Sequence, residues 1–173
     1  ERVVTHASFD EAHSSMPLSK QPPMAKALQQ SGYRHDLEEE PPVVKVQLLD
    51  PSAKLPVKGT EFAAGFDMHR NQSVIIPKGQ QAKISTKVAL EIPPGYHGQL
   101  YIRSSYALKY KARLEAGTID SDYRGEVFLL ISNNGDDALT IGKGDRIAQL
   151  IIVQDPNVQL SQVTDLSTTT RNN

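Results

Sequence analysis

The sequence predicts an all-β domain, a sandwich or barrel of short strands, on three observations. Short apolar runs recur through the middle of the chain. In KISTKVALEI (83–92), Ile84, Thr86, Val88, Leu90 and Ile92 share one parity, the period of a half-buried strand. Clusters of Gly, Pro, Asn and Asp separate the runs, at PPGYHG (93–98), NNGDD (133–137) and IGKGD (141–145), and supply the chemistry that reverses a chain. No stretch sustains a convincing long helical period, which leaves strands as the main element.

Taken in order, residues 1–42 stand apart. Apolar residues are sparse, acids outnumber bases, and Pro17, Pro22, Pro23, Pro41 and Pro42 interrupt the chain. PPMAKALQQSG (22–32) fits a two-turn helix, opened by proline and closed by Gly32. Glu38 to Glu40 and the Pro41–Pro42 pair read as a linker. The expectation is a largely disordered arm or linker over 1–42, with a docking or fusion segment as the alternative. The domain spans 43–155. VVKVQLL (43–49) opens it, the alternating run 83–92 follows, and QLYI (99–102) comes after a turn. EVFLLIS (126–132) is nearly all apolar, so burial on both faces is expected. RIAQLIIV (146–153) closes the series, and a Ser/Thr/Asn-rich tail occupies 156–173.

Composition narrows the function. The 173 residues suit one domain plus a tail, and the net charge of −1 creates no broad basic field for nucleic acid or membrane. The absence of cysteine excludes disulfides, thiol chemistry and Cys-ligated zinc, including the zinc deaminase site, and favours an intracellular setting. No apolar run approaches membrane-spanning length, no signal-peptide core appears, and no G-x-S-x-G elbow is present. His6, His13 and His35 fall in the arm; His69 and His97 are isolated, and all five are expected at the surface. The first residue is Glu1, as expected of a processed product or an excised segment.

Four stretches could carry chemistry, and each has a plain structural alternative. FAAGFDM (62–68) permits close backbone approach before Asp67, or is a tight turn into a strand. YIRSSYA (101–107) offers the fork of Arg103 and the hydroxyls of Ser104 and Ser105 to a phosphate; equally, a serine caps a short helix at Tyr106. EAGTIDSDYRGE (115–126) sets Asp120, Asp122 and Glu126 at even positions, on one face if the chain were extended. Asp120 could orient and deprotonate water, or the stretch is a charged hairpin edge. GKGDRIAQL (142–150) makes a turn before Gln149 and lacks P-loop spacing.

The four stretches in this order resemble the motif set of the trimeric dUTPases, over residues 43–155. The third, A-G-T-I-D-S-D-Y-R-G-E, is the most specific. The resemblance implies a β-clip or jelly-roll-like barrel assembled as a homotrimer, with three active sites between subunits. It implies Mg²⁺-dependent hydrolysis of dUTP to dUMP and pyrophosphate, limiting uracil entry into DNA and supplying dUMP for dTMP synthesis. Asp120 matches the aspartate that activates water, and Tyr123 the tyrosine stacked under the deoxyribose. Backbone groups of Gly117, Thr118 and Ile119 would pair with uracil. Arg103, Ser104, Ser105 and Gln149 would bind phosphates. Asp67 would support Mg²⁺ indirectly, through water. Asp122 and Glu126 are left as structural or solvated charge.

Two departures qualify the resemblance. The usual R-S-G is R-S-S followed by Tyr106 here, a variant similar to some retroviral dUTPases and to dCTP deaminases. The deaminases' catalytic glutamate corresponds to Leu130, which argues against deamination. The family's Gly-rich arm with a Phe-Gly pair is not visible; Arg171, in TTTRNN, matches that arm's arginine. Weaker lid closure and reduced turnover are therefore expected, and a catalytically weak binding or scaffold protein is the second reading. The arm, the absent initiator Met and R-S-S fit a retroelement or viral polyprotein, with a virion setting, as well as a cellular isoform of cytoplasm or nucleus.

Overall fold

The structure, a computed structural model, describes residues 40–171. The arm helix expected near residues 22–32 lies outside the described residues. The elements are β1 (Lys45–Leu48), β2 (Val57–Lys58), β3 (Phe66–His69), β4 (Val74–Ile76), β5 (Gln81–Glu91), β6 (Tyr96–Ile102), α1 (Ser104–Tyr110), β7 (Ala112–Leu114), β8 (Thr118–Ile119), β9 (Glu126–Asn133), β10 (Leu139–Ile141) and β11 (Arg146–Gln154). They form a five-stranded sheet in the order β2-β3-β11-β6-β8, a four-stranded sheet in the order β1-β5-β9-β7, and the pair β10-β4. All the pairings are antiparallel.

One apolar cluster unites the three sheets. Ile84, Val88 and Leu90 of β5 meet Val127, Leu129 and Ile131 of β9, Leu100 of β6 and Ile147 and Leu150 of β11. Ile76, Leu139 and Ile141 bring the small sheet into the same cluster. The buried parity of 83–92 is the one the alternation picks out, down to Thr86, whose Oγ1 donates to the Val127 carbonyl at 2.6 Å. The strand is not regular, however. Its register against β9 shifts between Ser85 and Ala89, and Lys87 sits in the left-handed region at φ 56°.

Three expectations need correction. In β9, Val127, Leu129, Ile131 and Asn133 are fully buried while Glu126, Phe128, Leu130 and Ser132 are half-buried, so the strand has a core face and a second, partly covered face rather than two equal ones. The ammonium of Lys83 lies 3.9 Å from the Phe128 ring centroid on that second face, which long polar stems can cover. His69 and His97 are half-buried, not surface groups, because both lie in strands; the Nδ1 of His97 contacts the Asp155 carboxylate. Finally, α1 begins at Ser104 with Arg103 as its N-cap and no side-chain cap bond. The serines are its first helical residues, and the Arg103 carbonyl accepts from the Tyr106 and Ala107 N–H groups at 3.0 and 3.1 Å.

Candidate active site

The central strand of the five-stranded sheet organises one half of the site. In β11, Gln149 lies opposite Asp67 of β3 on one side and Tyr101 of β6 on the other. Cross-strand partners share a face, so residues from the first, second and fourth stretches form one row. Asp67 is 3% exposed. Its Oδ1 lies 3.1 Å from Arg103 Nη1, and its Oδ2 accepts from Arg146 Nη1 at 3.1 Å. The Arg103 contact is an ion pair without hydrogen-bond alignment, and this buried Nη1 has no other partner. A buried guanidinium donor without a hydrogen bond is costly. Two guanidiniums share one carboxylate, so the cluster keeps a net positive charge and an unused donor. That arrangement suits an anion with several oxygens.

The neighbouring polar groups tie the loops together. The fourth stretch turns at 142–145, where Gly142 N–H donates to Asp145 Oδ2 at 2.7 Å. Asp145 N–H returns to the Gly142 carbonyl at 3.2 Å. Tyr106 of α1 donates its hydroxyl to the same Asp145 oxygen at 3.2 Å. Burial, then the Asp145 charge and this hydrogen bond, push the Tyr106 phenol up to about 12, so it stays protonated at neutral pH. His69, opposite Arg146 in the β3–β11 pairing, has its imidazole held below the usual range by burial and then by Lys54.

The third stretch builds a different kind of surface. β8 is the outer strand of its sheet, so alternate backbone groups of 117–119 have no strand partner on the far side among the described residues. Gly117 is required there: a Cβ would lie 2.7 Å from both Gln99 Nε2 and the Leu100 carbonyl oxygen. The chain does not stay extended through Asp120 and Asp122. It turns, with Tyr123 N–H donating to the Asp120 carbonyl at 3.1 Å, and Glu126 belongs to β9 in the other sheet. The three carboxylates therefore do not share a face. Asp120 and Asp122 are exposed.

Glu126 is structural. One carboxylate oxygen accepts from Ser85 Oγ and from Lys87 N–H at 3.0 Å, and the other pairs with Lys87 Nζ at 3.3 Å. Burial alone would raise its titration, but these bonds from Ser85 and Lys87 outweigh it and hold the group below its ordinary value. Glu126 thus fills the β5 irregularity with its carboxylate, while its carbonyl accepts the Tyr123 hydroxyl at 2.9 Å. That bond fixes the ring of Tyr123, which remains 44% exposed. Gly125 makes room for it, since a Cβ there would fall 2.6 Å from the hydroxyl.

The two halves are separate within one chain. Ile119, beside Asp120, pairs with Gly98 in β6, five residues before Arg103. At roughly 3.3 Å per strand residue that is about 16 Å. Grooves of about 180 and 390 Å³ run along Lys45, Glu91 and Arg124, and neither is lined by Asp67, Arg103, Asp120 or Gln149. Ser104 and Ser105 are exposed at the start of α1, next to the cluster in sequence. Arg171 lies in the exposed tail, where its N–H donates to Thr169 Oγ1 at 3.3 Å. Arg146, Asp145 and Tyr106 are the site residues that sequence reasoning passed over. The signal was available for Arg146, an arginine that opens a largely buried strand.

The fold and site define a class: an all-β protein with a buried carboxylate held by two arginines around its central strand and an exposed carboxylate on an edge-strand turn. A family model described as dUTPase matches residues 51–173. The deoxyuridine 5'-triphosphate nucleotidohydrolase of Anaeromyxobacter sp. is 40% identical over 136 residues, covering 76% of this chain and 92% of that protein. Its counterpart in Oryza sativa subsp. japonica is 36% identical over 137 residues, covering 79% and 80%. Among solved structures, a mutant dUTPase from phage phi11 of S. aureus, described with a coordinated structural Mg(II) ion, superposes with TM-score 0.68 at 28% identity, covering 73% of this chain and 99% of that one. A mutant dUTPase of Staphylococcus bacteriophage 80alpha with dUpNHpp gives TM-score 0.69 at 28% identity, covering 75% and 92%. The chain belongs to the dUTPase family, whose enzymes are dUTP diphosphatases. The position that matches the deaminases' glutamate is Leu130, a half-buried residue paired with Lys83, which offers no acid or base.

Proposed function

We propose that this protein hydrolyses dUTP to dUMP and pyrophosphate, with Asp120 as the base and the Asp67–Arg103–Arg146 cluster as the phosphate anchor. The observation that carries the reading is the buried Arg103 Nη1, which lies beside Asp67 without a hydrogen bond. A phosphate oxygen completes it. Arg103 with Ser104, Ser105 and Gln149 holds the triphosphate, and the β8 edge around Gly117, Thr118 and Ile119 reads uracil through fixed backbone donors and acceptors. Such an edge rejects cytosine by leaving polar groups unpaired. Tyr123, its ring fixed by the bond to the Glu126 carbonyl, underlies the deoxyribose and crowds a 2′-hydroxyl. Asp120 orients a water and takes its proton. The water oxygen joins the α-phosphate as the α–β anhydride bond breaks, and pyrophosphate leaves. Arg171 is the tail's own candidate for covering the nucleotide.

Among the described residues no three His, Cys, Asp or Glu side chains converge as a metal cage. Asp67 would support a Mg²⁺ indirectly, through water. When bound in that way, Mg²⁺ supplies neutralisation of phosphate charge.

The separation of Asp120 from Arg103 supports assembly. A site needing both draws them from different copies, and a homotrimer with sites between subunits satisfies this. The test is pyrophosphate release from dUTP in Mg²⁺. Release by the wild type and its loss in Asp120→Asn are expected; equal rates in the two proteins would sink the assignment.

A further inference from the structure

Arg103 and Arg146 come from different elements, yet both reach the same carboxylate. Three contacts hold their backbones together. Arg103 N–H donates to the Ile147 carbonyl at 3.0 Å. The Tyr106 hydroxyl, from the first turn of the helix that Arg103 caps, donates to Asp145 Oδ2 at 3.2 Å. That oxygen also accepts Gly142 N–H at 2.7 Å, which closes the turn delivering Arg146. Tyr106 thus links the residue just before one guanidinium to the helix that starts at the other. It follows R-S-S, at the point where this chain departs from R-S-G.

We propose that Tyr106 is a positioning residue for the polyphosphate: its bond to Asp145 sets the spacing of the Arg103 and Arg146 forks. The tether spans α1 and the 142–145 turn; α1 contains no fully buried residue, and it meets the core through the partly buried Tyr106 and Tyr110. A tilted 5.9 Å contact between the Tyr106 and Tyr110 rings steadies the phenol. The hydroxyl is far from the β8 edge in the chain's register, so its influence falls on phosphate and not on the base. With the bond intact, the two forks present donors at one separation, which a pair of linked phosphates can bridge. Without it, the Arg103–Ile147 backbone bond is left to join the helix start to the strand that follows the turn, and the forks lose that register.

This inference rests on the phosphate-anchor reading, and the experiment separates the two. Calorimetric titration measures inorganic pyrophosphate and dUMP binding to wild type, Tyr106→Phe, Asp145→Asn and Arg103→Ala, with steady-state dUTP kinetics alongside. For Tyr106→Phe, pyrophosphate binding weakens about five- to tenfold, dUMP binding is unchanged, and KM for dUTP rises more than kcat falls. Asp145→Asn keeps an acceptor for the phenol but loses its charge, and it gives a smaller loss of the same kind. Unchanged pyrophosphate binding in Tyr106→Phe, with Arg103→Ala defective, overturns the positioning role alone. An equal loss of pyrophosphate and dUMP binding also overturns it, because it signals general loosening. Unchanged pyrophosphate binding in Arg103→Ala overturns the anchor reading beneath it.

Discussion

The Asp67–Arg103–Arg146 cluster and the Asp120 turn are built on opposite principles. The cluster is anchored on a buried carboxylate and internally bonded: Asp67 is 3% exposed and holds a half-buried Arg103 and an exposed Arg146, and the α1 and 142–145 segments are tied by Tyr106 and Asp145. The turn is exposed, at the outer strand of the same sheet, with Tyr123 fixed mainly through the Glu126 carbonyl. One region is tied together by its own chain, with one Arg103 donor left over. The other presents a carboxylate, an aromatic ring and a backbone edge without enclosing anything. The difference teaches that burial fixes where charge is held, while exposure leaves the reacting group available to a partner surface. Fixed donors that need no reorganisation stabilise developing charge most effectively, and a general base needs access to water.

That contrast can be broken from either side. The largest effect belongs to Asp120→Asn, which removes the proposed base from an exposed turn: kcat falls by about 10²–10⁴-fold with the melting temperature unchanged. A parallel loss of stability would show that the turn is structural instead. Next comes Arg103→Lys, which keeps charge but loses the planar fork. KM for dUTP rises about tenfold or more, measured by initial rates, because a single ammonium cannot face Asp67 and phosphate together. Tyr123→Ala leaves the cluster intact and lowers discrimination between dUTP and UTP by about tenfold, read as the ratio of kcat/KM values.

The smallest effect on activity sharpens the comparison through stability. Glu126 titrates below its ordinary value because of Ser85 and Lys87. A depressed carboxylate stabilises the fold above its unfolded value, and that contribution disappears as pH falls through the folded one. Glu126→Gln therefore costs about 1–3 kcal/mol at neutral pH and flattens the acid limb of the stability profile. Denaturant unfolding between acidic and neutral pH checks this, and an unchanged acid limb would contradict it.

Much of this was legible in the sequence, for physical reasons. The period-two run at 83–92 shows because Ile84, Thr86, Val88, Leu90 and Ile92 all face the core. Strands as short as β2 and β8 cannot show a period and were invisible. The motif residues Asp67, Arg103 and Gln149 were singled out, and the structure brings Asp67 together with Arg103 and sets Gln149 in the same row. Tyr106 and Asp145 were not, since a hydrogen bond between residues 39 apart leaves no local pattern. The even spacing of Asp120, Asp122 and Glu126 misled because a turn at 120–123 intervenes. His69 and His97 were expected at the surface because neither sits at a metal-ligand spacing, and the pairing of His97 with Asp155, 58 residues on, leaves no local pattern.

The central claim is that Asp120 of one copy works on phosphates held by the cluster of another. Subunit complementation tests it most directly. Asp120→Asn and Arg103→Ala, each inactive alone, are mixed, unfolded and refolded together, and pyrophosphate release is measured. The account predicts recovery approaching about a quarter of the wild-type rate, from random assortment of copies in closed symmetric assemblies. No recovery from a mixture that assembles normally would contradict it, as would full wild-type activity in a species that sediments as a monomer.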